Sequence, residues 1–215
     1  MKSGTEYPKI YSPWKRHTEG ENKGRFNFMD WSEPEFALTA GLHWVWTEKI
    51  DGTNVRIIWD GHKVRIGGRT DDAQMPTFLL DLLNATFPEE LLEQTFKDKQ
   101  VVLYGEGFGP KIQKGGGLYG DKPMFALFDV RVGSTWLLPD DVRQVAGDMG
   151  LMNAPLVAVA PISGAAEIVS KGLTSAFGDF HAEGVVGTVI GGLQTRRGAR
   201  IQVKLKHRDL FGLQV

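Results

Sequence analysis

The chain has 215 residues, with 25 Lys or Arg against 26 Asp or Glu, and it contains no cysteine. The lack of cysteine excludes a disulfide scaffold, a cysteine nucleophile and zinc sites built on thiolates. The net charge of −1 gives no general indication of nucleic-acid binding. Since no apolar stretch is long enough to span a membrane and no signal-peptide core follows Met1, we expect a cytoplasmic protein with no membrane partner.

The spacing of apolar and turn residues predicts the elements in chain order. Residues 1–35 are polar and aromatic without a clear period, so we expect an irregular N-terminal segment. The predicted strands are residues 42–48, 54–60, 63–69, 100–107, 123–132, 135–138, 157–160, 184–190 and 199–205. The predicted helices are residues 77–96 with a break at Pro88, 140–150 with Gly150 as the C-cap, and 164–171. Because strands and helices do not alternate regularly, the pattern favours an antiparallel-rich α+β fold.

Charge is unevenly distributed along the chain. Residues 71–98 hold seven acidic side chains against one basic side chain, whereas residues 196–208 hold six basic side chains and no acidic one. Two solvated faces would explain this distribution, and so would a surface that attracts a polyanion.

Lys49 follows the first predicted strand, within Thr47-Glu48-Lys49-Ile50-Asp51-Gly52-Thr53-Asn54. A lysine amine is a nucleophile only in its neutral form, which burial or neighbouring cations favour. Taken alone, the motif is more typical of an exposed lysine beside a tight turn.

Lys204 and Lys206 lie two residues apart at the end of the last predicted strand, so their amines point to the same side if the strand continues. Two ammonium groups aimed into one pocket repel each other unless an anion lies between them, and phosphate is a natural choice. The alternative is a basic edge strand that discourages aggregation.

Gly105-Glu106-Gly107 ends another predicted strand, and Lys111 and Lys114 follow it. The flanking glycines would let a ligand approach the backbone, where Glu106 could accept hydrogen bonds from a ribose. A glycine-rich loop with solvated charges is the alternative, and the sequence is not a Walker loop.

Three further side chains are candidates for ligand contacts. Phe128, within Phe125–Val130, could stack on a base or pack in the core. Glu183 begins an apolar strand, where a carboxylate could bind a hard cation or simply face solvent. Arg69, after the predicted hairpin, could bind a ribose or phosphate oxygen or be exposed.

Together and in this order, the motifs resemble the covalent nucleotidyltransferase superfamily of ATP-dependent ligases and capping enzymes. Within it, Glu48–Asn54 and Gly105-Glu106 with Gly109-Pro110-x-Ile112-Gln113-Lys114 are similar to the phage-type RNA ligase 2 family. Phe128-Asp129, Ala182-Glu183-Gly184 and Lys204-x-Lys206 complete the set. The resemblance covers residues 42–211, and the family's best-known phage member has His at the position of Asp51.

The resemblance implies a ligase-type, ATP-grasp-like nucleotidyltransferase domain, with two mainly antiparallel sheets and flanking helices around a nucleotide groove. It implies an enzyme that joins 5′-phosphate and 3′-hydroxyl RNA ends through a lysine–AMP intermediate on Lys49, using ATP and Mg²⁺ or Mn²⁺. Lys204 and Lys206 would be catalytic, and Glu183 would hold the metal. The implied nucleotide-binding side chains are Glu48, Ile50, Asn54, Arg69, Glu106, Phe128, Glu183, Lys204 and Lys206.

The implied partner is RNA, in duplex or splinted form, for nick sealing and repair, in a protein that could be phage-encoded. The candidate RNA contacts are Lys111, Lys114, Arg196, Arg197, Arg200 and Arg208. We expect residues 1–215 to form a single adenylyltransferase domain without a C-terminal oligonucleotide-binding domain, so an accessory protein could dock the ends. A DNA nick ligase of the same superfamily and a non-catalytic nucleotide- or RNA-binding module are the alternatives.

Overall fold

The computed structural model describes residues 4–213. The strands are β1 Trp14–Arg16, β2 Phe26–Trp31, β3 Trp44–Glu48, β4 Thr53–Trp59, β5 Val64–Gly68, β6 Val101–Phe108, β7 Met124–Val132, β8 Thr135–Trp136, β9 Met152–Asn153, β10 Leu156–Ala160, β11 Gly184–Val189 and β12 Gln202–Lys206. The helices are α1 Pro34–Thr39, α2 Thr77–Thr86, α3 Glu89–Phe96, α4 Pro139–Asp148, α5 Ile162–Ser170 and α6 His207–Leu210, with a 3-10 helix at Gly116–Tyr119. None of the described helices is long and apolar enough to cross a membrane.

The chain folds into two compact units, and each unit is built from two segments that alternate along the sequence. The first unit contains residues 4–8 and Asp51–Ala154, and the second contains Lys9–Ile50 and residues 155–213. The single-domain assignment of residues 1–215 stays a prediction, and residues 1–3, 214 and 215 lie outside the described part of the chain.

The first unit is built on a six-stranded sheet in the order β5-β4-β6-β7-β8, with β9 added parallel to β7. Every other neighbouring pair in this sheet is antiparallel. Leu79, Leu83 and Leu92 of α2 and α3 are fully buried in a core with Phe125 of β7. The predicted break between the helices is confirmed, because Pro88 is the N-cap of α3 in an extended conformation.

The second unit is built on a four-stranded antiparallel sheet in the order β10-β3-β11-β12, beside the two-stranded sheet of β1 and β2. Trp44 and Trp46 alternate along β3, and both side chains are completely buried. Both belong to one buried apolar cluster that also contains Ile162, Ala166 and other residues of α5. Burying two indole rings removes so much apolar surface from water that it firmly sets which face of β3 is internal.

The prediction of an irregular N-terminal segment is wrong for β1 and β2. Trp14 packs edge-on against Phe28, with ring centroids 4.9 Å apart, and also contacts Phe26 and Trp31. These aromatic residues belong to β1 and β2, whose pairing contains a register shift between Trp14 and Arg16. A three-residue strand with a shifted register leaves too little alternation for a sequence pattern to detect.

The predicted α+β class is confirmed, with mainly antiparallel sheets and a small number of flanking helices. The predicted strands and the three helical segments are found, displaced by no more than a few residues at their ends. Gly150 has a φ of +64° and follows α4, as expected of a glycine that ends a helix. Helix α6 and the short strand β9 were not predicted, because two to four residues carry no periodic signal.

Candidate functional site

Lys49 lies directly after β3, where it is held by the neighbouring strand. Its backbone N–H donates to the carbonyl of Gly184, at 2.9 Å, which extends the pairing of β3 with β11 by one residue. Its Nζ lies 2.5 Å from Oε2 of Glu183, and both side chains are less than one-quarter exposed. The amine predicted as the nucleophile is therefore half-buried and held by a carboxylate.

Glu183 lies between two lysines. Its Oε1 accepts a hydrogen bond from Nζ of Lys206 at 2.6 Å, while Oε2 receives Lys49. Partial burial alone would raise the pKa of the Glu183 carboxyl, but the nearby charges and hydrogen bonds of Lys49 and Lys206 hold it below its ordinary value. The Glu183 carboxylate thus forms ion pairs with Lys206 on β12 and with Lys49 at the end of β3.

Gly184 makes this arrangement possible. A Cβ at this position would lie 2.0 Å from the carbonyl oxygen of Leu205 and 2.7 Å from Cα of Lys206. Only glycine lets β11 begin this close to β12, which brings the preceding Glu183 next to Lys206.

Lys204 completes a cluster of three cations and one anion. It lies two residues before Lys206 on β12, on the same face of the strand. Burial lowers the pKa of the Lys204 amine, and the charges of Lys206 and Lys49 lower it further, against the opposing effect of Glu183. With three ammonium groups around one carboxylate, the cluster has an excess of positive charge that favours an anionic ligand.

Glu48 immediately precedes Lys49, but its side chain lies on the other face of β3 and is only 3% exposed. Its carboxylate accepts hydrogen bonds from Oγ of Ser175 at 2.5 Å and from the backbone N–H of Ala176 at 2.8 Å. The Ser175 hydroxyl in turn accepts the N–H of Phe177 at 3.1 Å. Sequence reasoning missed Ser175, because nothing in its neighbourhood resembles a motif, and the adenine contact of Glu48 stays a prediction.

Glu106 and Asn54 are opposite each other on β6 and β4 of the first unit. The expectation that Gly105 and Gly107 make room for a ligand is wrong. A Cβ at Gly105 would lie 2.1 Å from the ring of Phe125, and a Cβ at Gly107 would lie 2.7 Å from Leu79. Both glycines face the core, so they admit core side chains, and Glu106 faces the other way.

Phe128 is the extra residue of a bulge in β7. Tyr104 pairs with Asp129, but the next residue, Gly105, pairs with Leu127, so Phe128 has no partner on β6. A bulge re-aims the side chains around it. The Phe128 ring is half-buried and meets the ring of Tyr7 edge-on at 5.2 Å between centroids.

Tyr7 is a second residue that sequence reasoning missed. Its hydroxyl donates to Oδ2 of Asp129 at 2.8 Å, and its ring also contacts Tyr104 at 5.0 Å. Residues 4–8 contain no helix or strand, as predicted, and Tyr7 packs against Phe128 within the first unit.

The other predicted nucleotide-binding side chains differ in exposure. Ile50 is 4% exposed, whereas Arg69 is exposed after β5. Oδ1 of Asn54 is buried without a hydrogen-bond partner among the described residues. Such an atom is costly to bury alone, so it marks a place where a ligand or water would be stabilised.

The loop after β6 braces the turn that follows Lys49. The backbone N–H of Asp51 donates to the hydroxyl of Tyr119 at 2.9 Å, and Nε2 of Gln113 donates to the carbonyl of Gly52 at 3.0 Å. Lys111 and Lys114 of this loop are exposed. The two predicted RNA contacts are thus displayed by a loop that is anchored to the Asp51-Gly52 turn.

The predicted basic segment 196–208 is not one surface. Arg196, Arg197 and Arg200 lie in the loop that joins β11 to β12, with the first two exposed. Lys206 and Arg208 are at the opposite end of β12, about 13 Å away along the five-residue strand. The Arg208 side chain is 75% exposed.

Across residues 4–213 we find no group of three or more His, Cys, Asp or Glu side chains that could hold a metal ion. The metal role of Glu183 stays a prediction.

Comparison with known proteins identifies relatives at the level of family and fold. A family model described as RNA ligase matches residues 42–205. Solved structures of Naegleria gruberi RNA ligase variants with ATP and Mn superpose with a TM-score of 0.66, at 17% and 16% sequence identity, and cover 94% of this chain. A variant with AMP and Mn superposes with a TM-score of 0.65 at 16% identity and covers 93% of this chain.

At this identity the structural likeness shows the fold. This chain spans 64%, 57% and 62% of the length of those three chains, respectively. No match was found among the curated proteins.

Proposed function

Because this chain belongs to the RNA ligase family, we propose that it is an ATP-dependent RNA ligase that joins 5′-phosphate and 3′-hydroxyl ends. The observation that carries the proposal is the cluster of Lys49, Glu183, Lys204 and Lys206, which holds an amine nucleophile among groups suited to bind phosphate. Solved structures of similar fold contain ATP or AMP with Mn, which supports the use of a nucleotide and a divalent metal ion.

In the first step, Nζ of Lys49 attacks the α-phosphorus of ATP. The N–P bond forms, the bond to the pyrophosphate oxygen breaks, and pyrophosphate leaves. The Lys49 amine must lose its proton to solvent before it attacks, because only the neutral amine is a nucleophile. The product is a lysine–AMP phosphoramidate.

Lys204 and Lys206 would stabilise the negative charge that grows on the transferring phosphate. Their strand holds both amines on one face, so they need little rearrangement when the phosphate arrives. Anion binding would also relieve the repulsion among the three ammonium groups of the cluster.

Glu183 fits a role in metal binding, because it is an ionised, half-buried carboxylate, and Mg²⁺ and Mn²⁺ prefer oxygen ligands. A bound Mg²⁺ or Mn²⁺ would supply charge neutralisation at the phosphates. Since both carboxylate oxygens contact lysines, Glu183 would exchange one of these contacts on metal binding.

We assign the base and sugar contacts to six side chains. Phe128 would stack on adenine, and Glu48 would lie near the amino edge of the base. Glu106 would accept hydrogen bonds from the ribose, and Arg69 would bind a ribose or phosphate oxygen. Ile50 and Asn54 complete the proposed set, with Asn54 also placed to position the RNA ends.

The remaining two steps transfer AMP from Lys49 to the RNA 5′-phosphate and then seal the strand. The 5′-phosphate oxygen attacks the adenylyl phosphorus and breaks the N–P bond to Lys49. The 3′-hydroxyl then attacks the 5′-phosphate, its proton is lost, and AMP leaves. Exposed Lys111, Lys114 and Arg208 would contact the backbone of a duplex or splinted RNA in a salt-dependent way, consistent with repair of nicks.

A sealing assay tests the proposed function. The purified chain is incubated with ATP, Mg²⁺ and a 5′-phosphorylated nick in RNA or in DNA, beside a Lys49→Ala variant and a Lys63→Ala control at an exposed turn. We expect sealed RNA from the wild type and the control, and none from Lys49→Ala. Preferential sealing of the DNA nick would replace the RNA assignment with a DNA nick ligase. Sealing by Lys49→Ala would refute the mechanism.

A further inference from the structure

Three aromatic rings form a cluster directly after the strand that carries Lys204 and Lys206. The imidazoles of His181 and His207 are stacked, with centroids 4.6 Å apart and planes 20° from parallel. The ring of Phe211 lies 4.5 Å from His207 and 5.5 Å from His181. These spacings are those of attractive aromatic pairs.

The cluster is assembled from two separate parts of the second unit, His181 before β11 and His207 with Phe211 at α6. Gly172, which has a φ of +89°, lies beneath it, and a Cβ there would come within 2.9 Å of the His181 ring and 3.0 Å of the Phe211 ring. A glycine is therefore needed at this position for the rings to come together. The rings are held by the fold and are not a chance grouping of surface side chains.

Despite this packing, the cluster faces solvent. The Phe211 side chain is 54% exposed and His181 is also exposed. Large aromatic side chains are usually buried, so an exposed and ordered aromatic surface indicates binding. Arg208, whose side chain is 75% exposed, adds a cation on the same short helix.

The cluster is next to the phosphate-binding groups of the candidate site. His207 immediately follows Lys206, and its backbone N–H donates to the carbonyl of Glu183 at 2.8 Å. A ligand on the rings would therefore extend directly from the residues that we assign to catalysis.

We propose that His181, His207 and Phe211 form a stacking platform for an unpaired or end nucleobase of the RNA substrate, with Arg208 binding the adjacent phosphate. This inference rests on the proposed RNA ligase function. The chemistry fits because bases stack on aromatic faces whatever their sequence, while an exposed arginine binds the backbone.

The protonation of the rings agrees with stacking. Burial lowers the pKa of the His207 imidazole, and the charge of His181 lowers it further, which favours the neutral ring near pH 7. Nδ1 of His207 is buried without a hydrogen-bond partner among residues 4–213. The His207 ring is thus held by its contacts with the exposed rings of His181 and Phe211.

The test compares RNA affinities of Phe211→Ala with those of Phe78→Ala, a control at a partly exposed phenylalanine of α2. The probes are a nicked RNA duplex and two copies with an abasic site on the 3′-hydroxyl or the 5′-phosphate side of the nick. His181→Ala is the second variant, and lysine–AMP formation measured by intact mass reports on folding and the first step.

We expect Phe211→Ala and His181→Ala to weaken binding of the intact nick by about tenfold, the usual effect of losing one base–aromatic stack. The wild type should bind one of the abasic probes as weakly as the two variants bind the intact nick, and on that probe the variants should bind no more weakly than the wild type. Lysine–AMP formation should be unchanged in both variants, and Phe78→Ala should bind the intact nick as the wild type does.

Equal affinity of the wild type and both variants for the intact nick would overturn the platform. So would a uniform loss on all three probes, or a change in self-association in place of RNA affinity. If the wild type forms no lysine–AMP, the proposed function fails, which is a separate result from the failure of the platform.

Discussion

Replacing Ser175 with alanine should destabilise the protein through the carboxylate of Glu48. Ser175 is 6% exposed and Glu48 is 3% exposed, so neither side chain can exchange its partner for water. The hydroxyl donates to Glu48 at 2.5 Å, which is the short distance typical of a hydrogen bond to a charged acceptor. Ser175→Ala removes this bond and leaves the carboxylate with the N–H of Ala176.

The structure sets the size of the effect. Hydrogen bonds to charged groups contribute about 1.5–3 kcal/mol to stability, and burial keeps the value from being reduced by solvent. A loss of about 2 kcal/mol in the free energy of unfolding corresponds to a decrease of about 4–8 °C in Tm for a chain of this size. Because Glu48 precedes Lys49, we also expect slower formation of lysine–AMP.

The measurement is denaturant unfolding of the wild type, Ser175→Ala and Ser170→Ala. Ser170 is a matched control, since it is also buried but donates to the uncharged carbonyl of Glu167 at 2.9 Å. Ser170→Ala should cost about 1 kcal/mol. The reasoning would be refuted if Ser175→Ala changed the unfolding free energy by no more than Ser170→Ala does.

Three further predictions concern Gly105, Glu183 and Lys204. Gly105→Ala should lower the unfolding midpoint, because its Cβ would meet the Phe125 ring at 2.1 Å, while Gly117→Ala, with open space around it, should change little. Denaturant melts of both variants decide this, and equal midpoints would contradict the packing. Since the pKa of Glu183 is lowered on folding, its contribution to stability is present above the ordinary carboxyl pKa and is lost as pH falls through the folded-state value. The free energy of unfolding of Glu183→Gln should therefore fall less than that of the wild type between neutral and acid pH. The same pH dependence in both proteins would show that the ion pairs of Glu183 do not stabilise the fold. The pKa of the Lys204 amine is lowered, so binding of pyrophosphate beside it should raise that pKa and take up protons at alkaline pH. Calorimetry in buffers of different ionisation enthalpy measures this uptake, and none is expected from Lys204→Met.

The strands that carry the chemistry were predictable because they are regular. Alternating buried residues along β3 and β12 gave their position, and the two-residue spacing placed Lys204 and Lys206 on one face. The motifs around Lys49 and Glu183 identified both residues as candidates, the first as nucleophile and the second as metal ligand. The structure brings Nζ of Lys49 within 2.5 Å of Oε2 of Glu183. Local pattern and fold agree at these positions.

The residues that were missed depend on contacts between distant parts of the chain. Ser175 reaches Glu48 across 127 positions, and Tyr7 reaches Asp129 across 122. Neither pairing leaves a local period or spacing to read. The need for glycine at position 105 also depends on a distant contact, because the Phe125 ring occupies the space that a side chain there would require. The sequence predicts the strand of Phe125 but not its register against β6, which brings the ring beside Gly105.

The shifted register of β7 is a similar case. The pattern Phe125-Ala126-Leu127-Phe128 predicts a continuous strand, and the strand is found. The bulge that leaves Phe128 unpaired arises from its pairing with β6, so it could not be predicted from β7 alone.

The central claim is that Lys49 becomes covalently bound to AMP, and intact mass tests it most directly. The wild type, Lys49→Ala and Lys63→Ala are incubated with ATP and Mg²⁺, and separate samples are treated with pyrophosphate to remove any AMP already attached. We predict a mass gain of one AMP after ATP, reversed by pyrophosphate, in the wild type and in Lys63→Ala but not in Lys49→Ala. A mass gain in Lys49→Ala, or a wild-type mass that neither ATP nor pyrophosphate changes, would contradict the account.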